Sequence, residues 1–102
     1  MVGLVTTKGN LPLESAVETK ATEYAKKLGI LSLKLNVQGQ IGWPDRIYLY
    51  NGRVLFIEFK RPGEKPRKVQ LYVHEKIRAQ GFNVIATDDL HEARTSLEYL
   101  RR

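Results

Sequence analysis

GWPDRIYLYNGRVLFIEFKRPG, residues 42–63, is the stretch from which the fold can be read. Two apolar runs flank Asn51-Gly52, a dipeptide that accepts the positive φ angles of a tight hairpin turn. The pattern predicts strands over 45–50 and 53–60. A two-residue turn fixes register, so Tyr50 faces Arg53, Leu49 faces Val54, Tyr48 faces Leu55, Ile47 faces Phe56 and Arg46 faces Ile57. One step further out, Asp45 falls across from Glu58. Opposed residues share a face with Cβ atoms about 4.5–5.5 Å apart, and Lys60, two residues past Glu58, projects from that same face. The second run, VLFIEFK, is apolar on both faces until Glu58, which predicts a central strand covered on both sides. Two carboxylates set about 5 Å apart beside a core repel by about 3 kcal/mol at an effective dielectric of about 20, and burial raises their pKa. A positive group belongs between them. Lys60 is one candidate; a hard divalent cation such as Mg²⁺, typically held by one or two carboxylates with water and phosphate, is the better one. Charged strand ends often form only a solvated ion pair, but the Pro-Asp start, the turn-fixed opposition and the apolar flanks argue against that here.

Outward from the hairpin, LESAVETKATEYAKKL at 13–28 predicts a helix. Leu13, Val17, Ala21, Tyr24, Ala25 and Leu28 recur at helical spacing, and Gly29 follows Lys26 and Lys27 as a C-cap. ILSLKLNV alternates like a strand, and QGQIGWP is a turn-rich loop. After the hairpin, RPGEKP is a loop with two prolines. RKVQLYVHEKIRAQ at 67–80 predicts a second helix with Val69, Tyr72, Val73 and Ile77 on one side, stopped by Gly81. FNVIAT is a short strand, and residues 89–100 form a last helix with Asp88 or Asp89 as N-cap. Residues 1–10, Gly/Thr-rich and without a period, form a loose N-terminal arm. The order is α-β-β-β-α-β-α, an α/β chain read as one domain over 1–102, without repeats or a linker.

The chain has 102 residues, enough to bury roughly two-thirds of its unfolded surface around one core. It has no cysteine, which excludes thiol chemistry, Cys-ligated zinc and a disulfide framework. No apolar run approaches the ~20 residues of a membrane span and no signal peptide is evident, so a soluble cytoplasmic protein is expected. Seventeen Lys and Arg against eleven Asp and Glu give a net charge of +6 and a pI near 9.7. That balance suits a polyanionic partner.

Pro44-Asp45, then Glu58-Phe59-Lys60, set after an acidic first helix and before a helix carrying Gln70, resembles the PD-(D/E)xK nuclease superfamily. More narrowly, the GxPDR, IEFKRPG and P…Q run resembles the virus-type replication-repair nuclease (VRR-NUC) family in its small stand-alone phage form, over roughly residues 14–87. The resemblance implies a restriction-endonuclease-like αβββαβ core with a mixed four-stranded sheet, followed here by a C-terminal helix. It implies Mg²⁺- or Mn²⁺-dependent hydrolysis of DNA phosphodiesters. Asp45 and Glu58 match the family's metal-binding carboxylates, with the Phe59 backbone carbonyl as a further ligand. Lys60 matches its catalytic lysine and Gln70 the glutamine of its second helix. The family also expects a glutamate on the first helix. Glu14 and Glu18 lie one turn apart on one face; Glu18 is preferred as a catalytic or metal-binding group, because its distance to Gly29 is similar to that in archaeal-type junction resolvases. Glu14 lies nearer the helix N-terminus, where the dipole accounts for it.

DNA contacts are expected from Arg46, Arg61, Lys65, Arg67 and Lys68 beside the motifs and from Lys20, Lys26 and Lys27 on the first helix, mostly to phosphate and steeply salt-dependent. Trp43 stacks on a base or sugar, or packs its loop. His74 and His91 have no partner at metal-ligand spacing and receive no role. The resemblance to stand-alone phage members implies a homodimer cutting four-way (Holliday) junctions in DNA repair, since a two-fold axis suits symmetric cleavage. The hairpin strands, or Leu97, Tyr99 and Leu100, offer an interface, unless the latter cap the core. A monomer would favour flap or nicked-end cleavage, and a non-catalytic DNA-binding module would use the same basic face.

Overall fold

The computed structural model describes residues 14–102; the expected arm at 1–10 and Leu13 lie outside the described residues. Helix α1 spans Glu14–Lys27, followed by strands β1 (Leu31–Lys34), β2 (Arg46–Tyr50) and β3 (Arg53–Phe59). Helix α2 (Lys68–Ala79), strand β4 (Asn83–Thr87) and helix α3 (Leu90–Arg101) complete the chain. This is the expected element order. The four strands form one sheet in the order β1-β2-β3-β4. The first three are antiparallel, and β4 runs parallel to β3 after the α2 crossover.

The hairpin turn behaves as its residues dictate. Asn51 (φ 47°) and Gly52 (φ 81°) are both left-handed, and the register runs from Tyr50 opposite Arg53 to Arg46 opposite Ile57. Strand β3 is central and buried from Leu55 onward. Its period of two sends Leu55, Ile57 and Phe59 to one side, where they pack with Val17, Ala21 and Ala25 of α1 and Ala93, Leu97 and Leu100 of α3. Phe56 goes to the other side, against Val73 and Ile77 of α2. Glu58 and Lys60 continue this second row, so they emerge beneath α2.

Several boundaries differ from the sequence reading. Strand β1 is four residues long, not eight; one in-register bond, from the Leu35 N–H to the Asp45 carbonyl at 2.8 Å, follows it before the chain leaves the sheet. Leu31 and Leu33 are 58% and 52% exposed on β1, the edge strand of the sheet. Leu97 and Leu100 are core residues, so of that trio only Tyr99 remains at the surface. Asp89 caps α3 by accepting from the His91 and Glu92 amides. Asp88 instead accepts from the Gly63 amide at 2.8 Å, which ties down the loop after Lys60. No helix among the described residues is long and apolar enough to cross a membrane.

Gly42 sets where the Trp-Pro-Asp segment meets α2. Its φ is +92°, and a Cβ there would lie 2.7 Å from the Val69 carbonyl oxygen and 3.0 Å from Val73 Cγ2. Gly42→Ala is therefore expected to cost about 1–3 kcal/mol, from backbone strain and forced separation. Urea denaturation measures the loss; an unchanged midpoint would mean the loop relaxes freely.

Candidate active site

Asp45 sits one residue before β2. Its side chain replaces the ladder partner that β2 no longer supplies: Oδ2 accepts the Phe59 amide at 2.7 Å. In an extended strand the N–H and C=O of one residue point to the same edge, so the Phe59 carbonyl also opens toward Asp45. Burial pushes the Asp45 carboxyl above its ordinary pKa. The Phe59 N–H opposes the shift, and the negative charges of Glu18 and Glu58 add to it.

Glu58 is 1% exposed. Its Oε2 lies 2.9 Å from Lys60 Nζ, yet no donor is aligned on it as a hydrogen bond. The contact is ionic and off-axis, so a buried anionic oxygen remains without a directed partner. Lys60 Nζ donates instead to Gln70 Oε1 at 2.8 Å. The same Gln70 oxygen accepts the Arg67 amide at 2.7 Å, at the N-terminus of α2. Gln70 therefore closes the first turn of its helix and fixes the lysine at once. The cleft beside Lys60 is lined by Lys65, Thr87, Asp88 and Glu92.

Helix α2 is rotated from the face that hydrophobicity selects. Tyr72 is 61% exposed, while Gln70, Val73, His74 and Ile77 face inward. The reason lies beneath the helix, where Lys60 and Glu58 require polar partners. His74, assigned no role from sequence, has Nε2 2.8 Å from Glu58 Oε1. One signal was present: His74 lies one turn after Gln70, on the same helix face.

Glu18 is buried, but its Oε2 is occupied by Lys34 Nζ at 2.8 Å and Arg46 Nε at 2.7 Å. Burial alone would raise its pKa; the hydrogen bonds and charges of Lys34 and Arg46 outweigh burial and lower it. A carboxylate with a depressed folded pKa contributes stability above its unfolded pKa, and that contribution is lost as pH falls through the folded value. Glu18→Gln should thus destabilise the protein at neutral pH by about 1–2 kcal/mol, mostly through half-buried Arg46, because Lys34 is largely exposed. The difference should vanish in strong acid. Denaturation of both proteins across pH 2–7 checks this, and a pH-independent gap would refute it.

Arg46 also donates to Ser32 Oγ at 3.2 Å, so its partly exposed side chain ties β2 to α1 and β1. Glu14 lies farther out, with Arg61 Nε at 3.7 Å. Arg61, Lys65, Arg67 and Lys68 are exposed around the loop and helix start next to Lys60. Lys20, Lys26 and Lys27 are exposed on α1. Lys26 and Lys27 stand about 12–14 Å along the axis from Glu18, away from the carboxylates. Trp43 packs its ring against the α2-side cluster and donates to Gln40 Oε1 at 2.9 Å. His91 is exposed near the start of α3.

Asp45, Glu58 and the Phe59 carbonyl offer hard oxygens, the donors Mg²⁺ and Mn²⁺ accept, and the unpartnered Glu58 Oε2 fits such an ion. Among the described residues no three His, Asp or Glu side chains gather as a group that could hold an ion. The set is two carboxylates, which leaves coordination positions for water and substrate oxygens.

No family model matches the chain. The sequence is 38% identical over 76 residues to "Putative nuclease p44" of Acyrthosiphon pisum secondary endosymbiont phage 1, covering 74% of this chain and 82% of the relative. A solved structure titled "VRR_NUC domain" superposes with a TM-score of 0.77 at 33% identity, covering 84% of this chain and 95% of that one.

Proposed function

Because the chain belongs to the VRR-NUC nuclease family, we propose that it is a Mg²⁺- or Mn²⁺-dependent DNA endonuclease that resolves four-way junctions as a homodimer. The observation that carries the reading is the fixed constellation at the end of β3. Asp45 accepts the Phe59 amide beside Glu58, and Lys60 is held between Glu58 and Gln70.

Asp45 and Glu58, with the Phe59 carbonyl, would hold the cation. When bound, it supplies Lewis-acid polarisation of a non-bridging phosphate oxygen and eases deprotonation of a water. Lys60 has one N–H engaged by Gln70; its remaining positive charge stabilises the anionic pentavalent phosphorus. Water attacks phosphorus and the bond to the 3′ oxygen breaks, giving 5′-phosphate and 3′-hydroxyl ends. Glu18 acts through Arg46, fixing the strand that carries Asp45. Arg61, Lys65, Arg67 and Lys68 bind backbone phosphates, so affinity falls steeply with salt. Exposed Leu31 and Leu33 on the β1 edge support pairing with a second copy. The working compartment is the cytoplasm of the host cell, where the DNA lies.

The test is cleavage of a labelled synthetic four-way junction, with and without Mg²⁺ or Mn²⁺, beside linear duplex and flap controls, together with mass in solution. Metal-dependent paired nicks in the junction by a dimer are expected. Preferential flap cutting by a monomer would replace the junction reading, and binding without cleavage would reduce the protein to a DNA-binding module.

A further inference from the structure

We propose that His74 is a positioning residue for the Glu58 carboxylate: by engaging Oε1 it directs Oε2 to the cation. The inference rests on the reading of Glu58 as a ligand and adds a residue to it. His74 is 2% exposed in its side chain and lies too deep to meet DNA, so its role runs through Glu58. An ionised carboxylate only accepts hydrogen bonds, so the shared hydrogen sits on Nε2. The last torsion of a glutamate is broad, and Glu58 would otherwise sample orientations that present either oxygen or neither. Nε2 at 2.8 Å from Oε1 removes that freedom. What remains is Oε2, buried, beside the Lys60 ammonium and without an aligned donor. Helix α2 then orients both reactive groups of β3 from one face: Gln70 holds Lys60, and His74, one turn on, holds Glu58. Outer hydrogen bonds of this kind tune a ligand's affinity for its ion.

A histidine that merely fills the core would behave differently on substitution. The experiment is Mn²⁺ titration by calorimetry on the DNA-free protein, with circular dichroism to establish that each variant is folded. His74→Leu keeps bulk but removes the donor, and should weaken Mn²⁺ binding roughly 10- to 100-fold. His74→Asn is polar but too short to reach Oε1; it should weaken binding likewise, and it serves if leucine unfolds the protein. His74→Gln places an amide N–H near the former Nε2 and should restore most of the affinity. Native affinity in a folded leucine or asparagine variant, or a glutamine variant as weak as leucine, would overturn the role of His74. Glu58→Gln separates the two layers of the argument. If it binds Mn²⁺ like the native protein, or the native protein binds none, the ligand reading of Glu58 fails and this proposal with it. If Glu58→Gln is weak and the donor-free His74 variants are not, only His74 is wrong.

Discussion

Asp45→Asn should abolish cleavage while making the folded protein more stable. The activity loss follows from the proposed role of Asp45 as one of two carboxylates that hold the cation. Lewis-acid stabilisation is worth several kcal/mol in the transition state, so a rate loss of roughly 10³-fold or more is expected. The stability gain follows from the raised pKa of Asp45. Burial and the charges of Glu18 and Glu58 disfavour its ionised form in the fold, and the Phe59 amide does not fully compensate. A group whose folded pKa is raised costs stability above that pKa and nothing below its unfolded value. The asparagine variant should therefore have the higher urea midpoint at neutral pH. Its advantage should shrink as pH falls through the native Asp45 pKa and disappear below the unfolded value of about 3.9. Asparagine keeps an acceptor for the Phe59 amide, so the backbone there should persist. A variant that is inactive but also less stable at neutral pH would mean that the Asp45 charge supports the fold.

Lys60→Met removes the counter-charge of a buried carboxylate and, on the proposed mechanism, a cation that stabilises the transition state. Cleavage should fall roughly 10²–10³-fold. Stability should fall by about 3–5 kcal/mol, the usual cost of leaving one member of a buried ion pair alone. The two losses separate in the double variant. Adding Glu58→Gln removes the stranded charge, so Glu58→Gln/Lys60→Met should recover most of the stability while staying inactive. Cleavage rates and denaturation curves of the four proteins complete the cycle. Cleavage at the native rate by folded Lys60→Met protein would remove the lysine from the mechanism. Failure of the double variant to regain stability would show that the Glu58–Lys60 contact contributes little.

The fold was largely legible because its decisive signals are local. Asn51-Gly52 dictates the β2–β3 register through its own backbone angles, and that register brings Asp45 to the end of β3 without knowledge of the remaining chain. Glu58 and Lys60 followed from the two-residue period of the strand. What sequence reasoning missed depends on partners far along the chain. Hydrophobicity placed Tyr72 on the inner face of α2, but Gln70 and His74 lie there because they answer Lys60 and Glu58 on β3. Arg46 looked like an outward cation because it sits beside Asp45; in the folded chain it joins Lys34 on Glu18, a contact between three elements that no local pattern announces. Lys34 was not a candidate at all, for the same reason. Leu100 gave no sign of whether it met a neighbour or the core, because that depends on where α3 docks.

Asn51 and Gly52 lie seven and six residues from Glu58, roughly 20 Å away along β3, yet they belong to the same functional unit. One residue gained or lost there would slide the two strands past each other and exchange inward and outward side chains. Asp45 would then leave the end of β3 while every catalytic side chain kept its chemical identity. The length of this distal bend is consequently as binding a constraint on the site as the acids themselves, whereas the exposed segment around Gln38–Gln40 has far more latitude to lengthen or shorten.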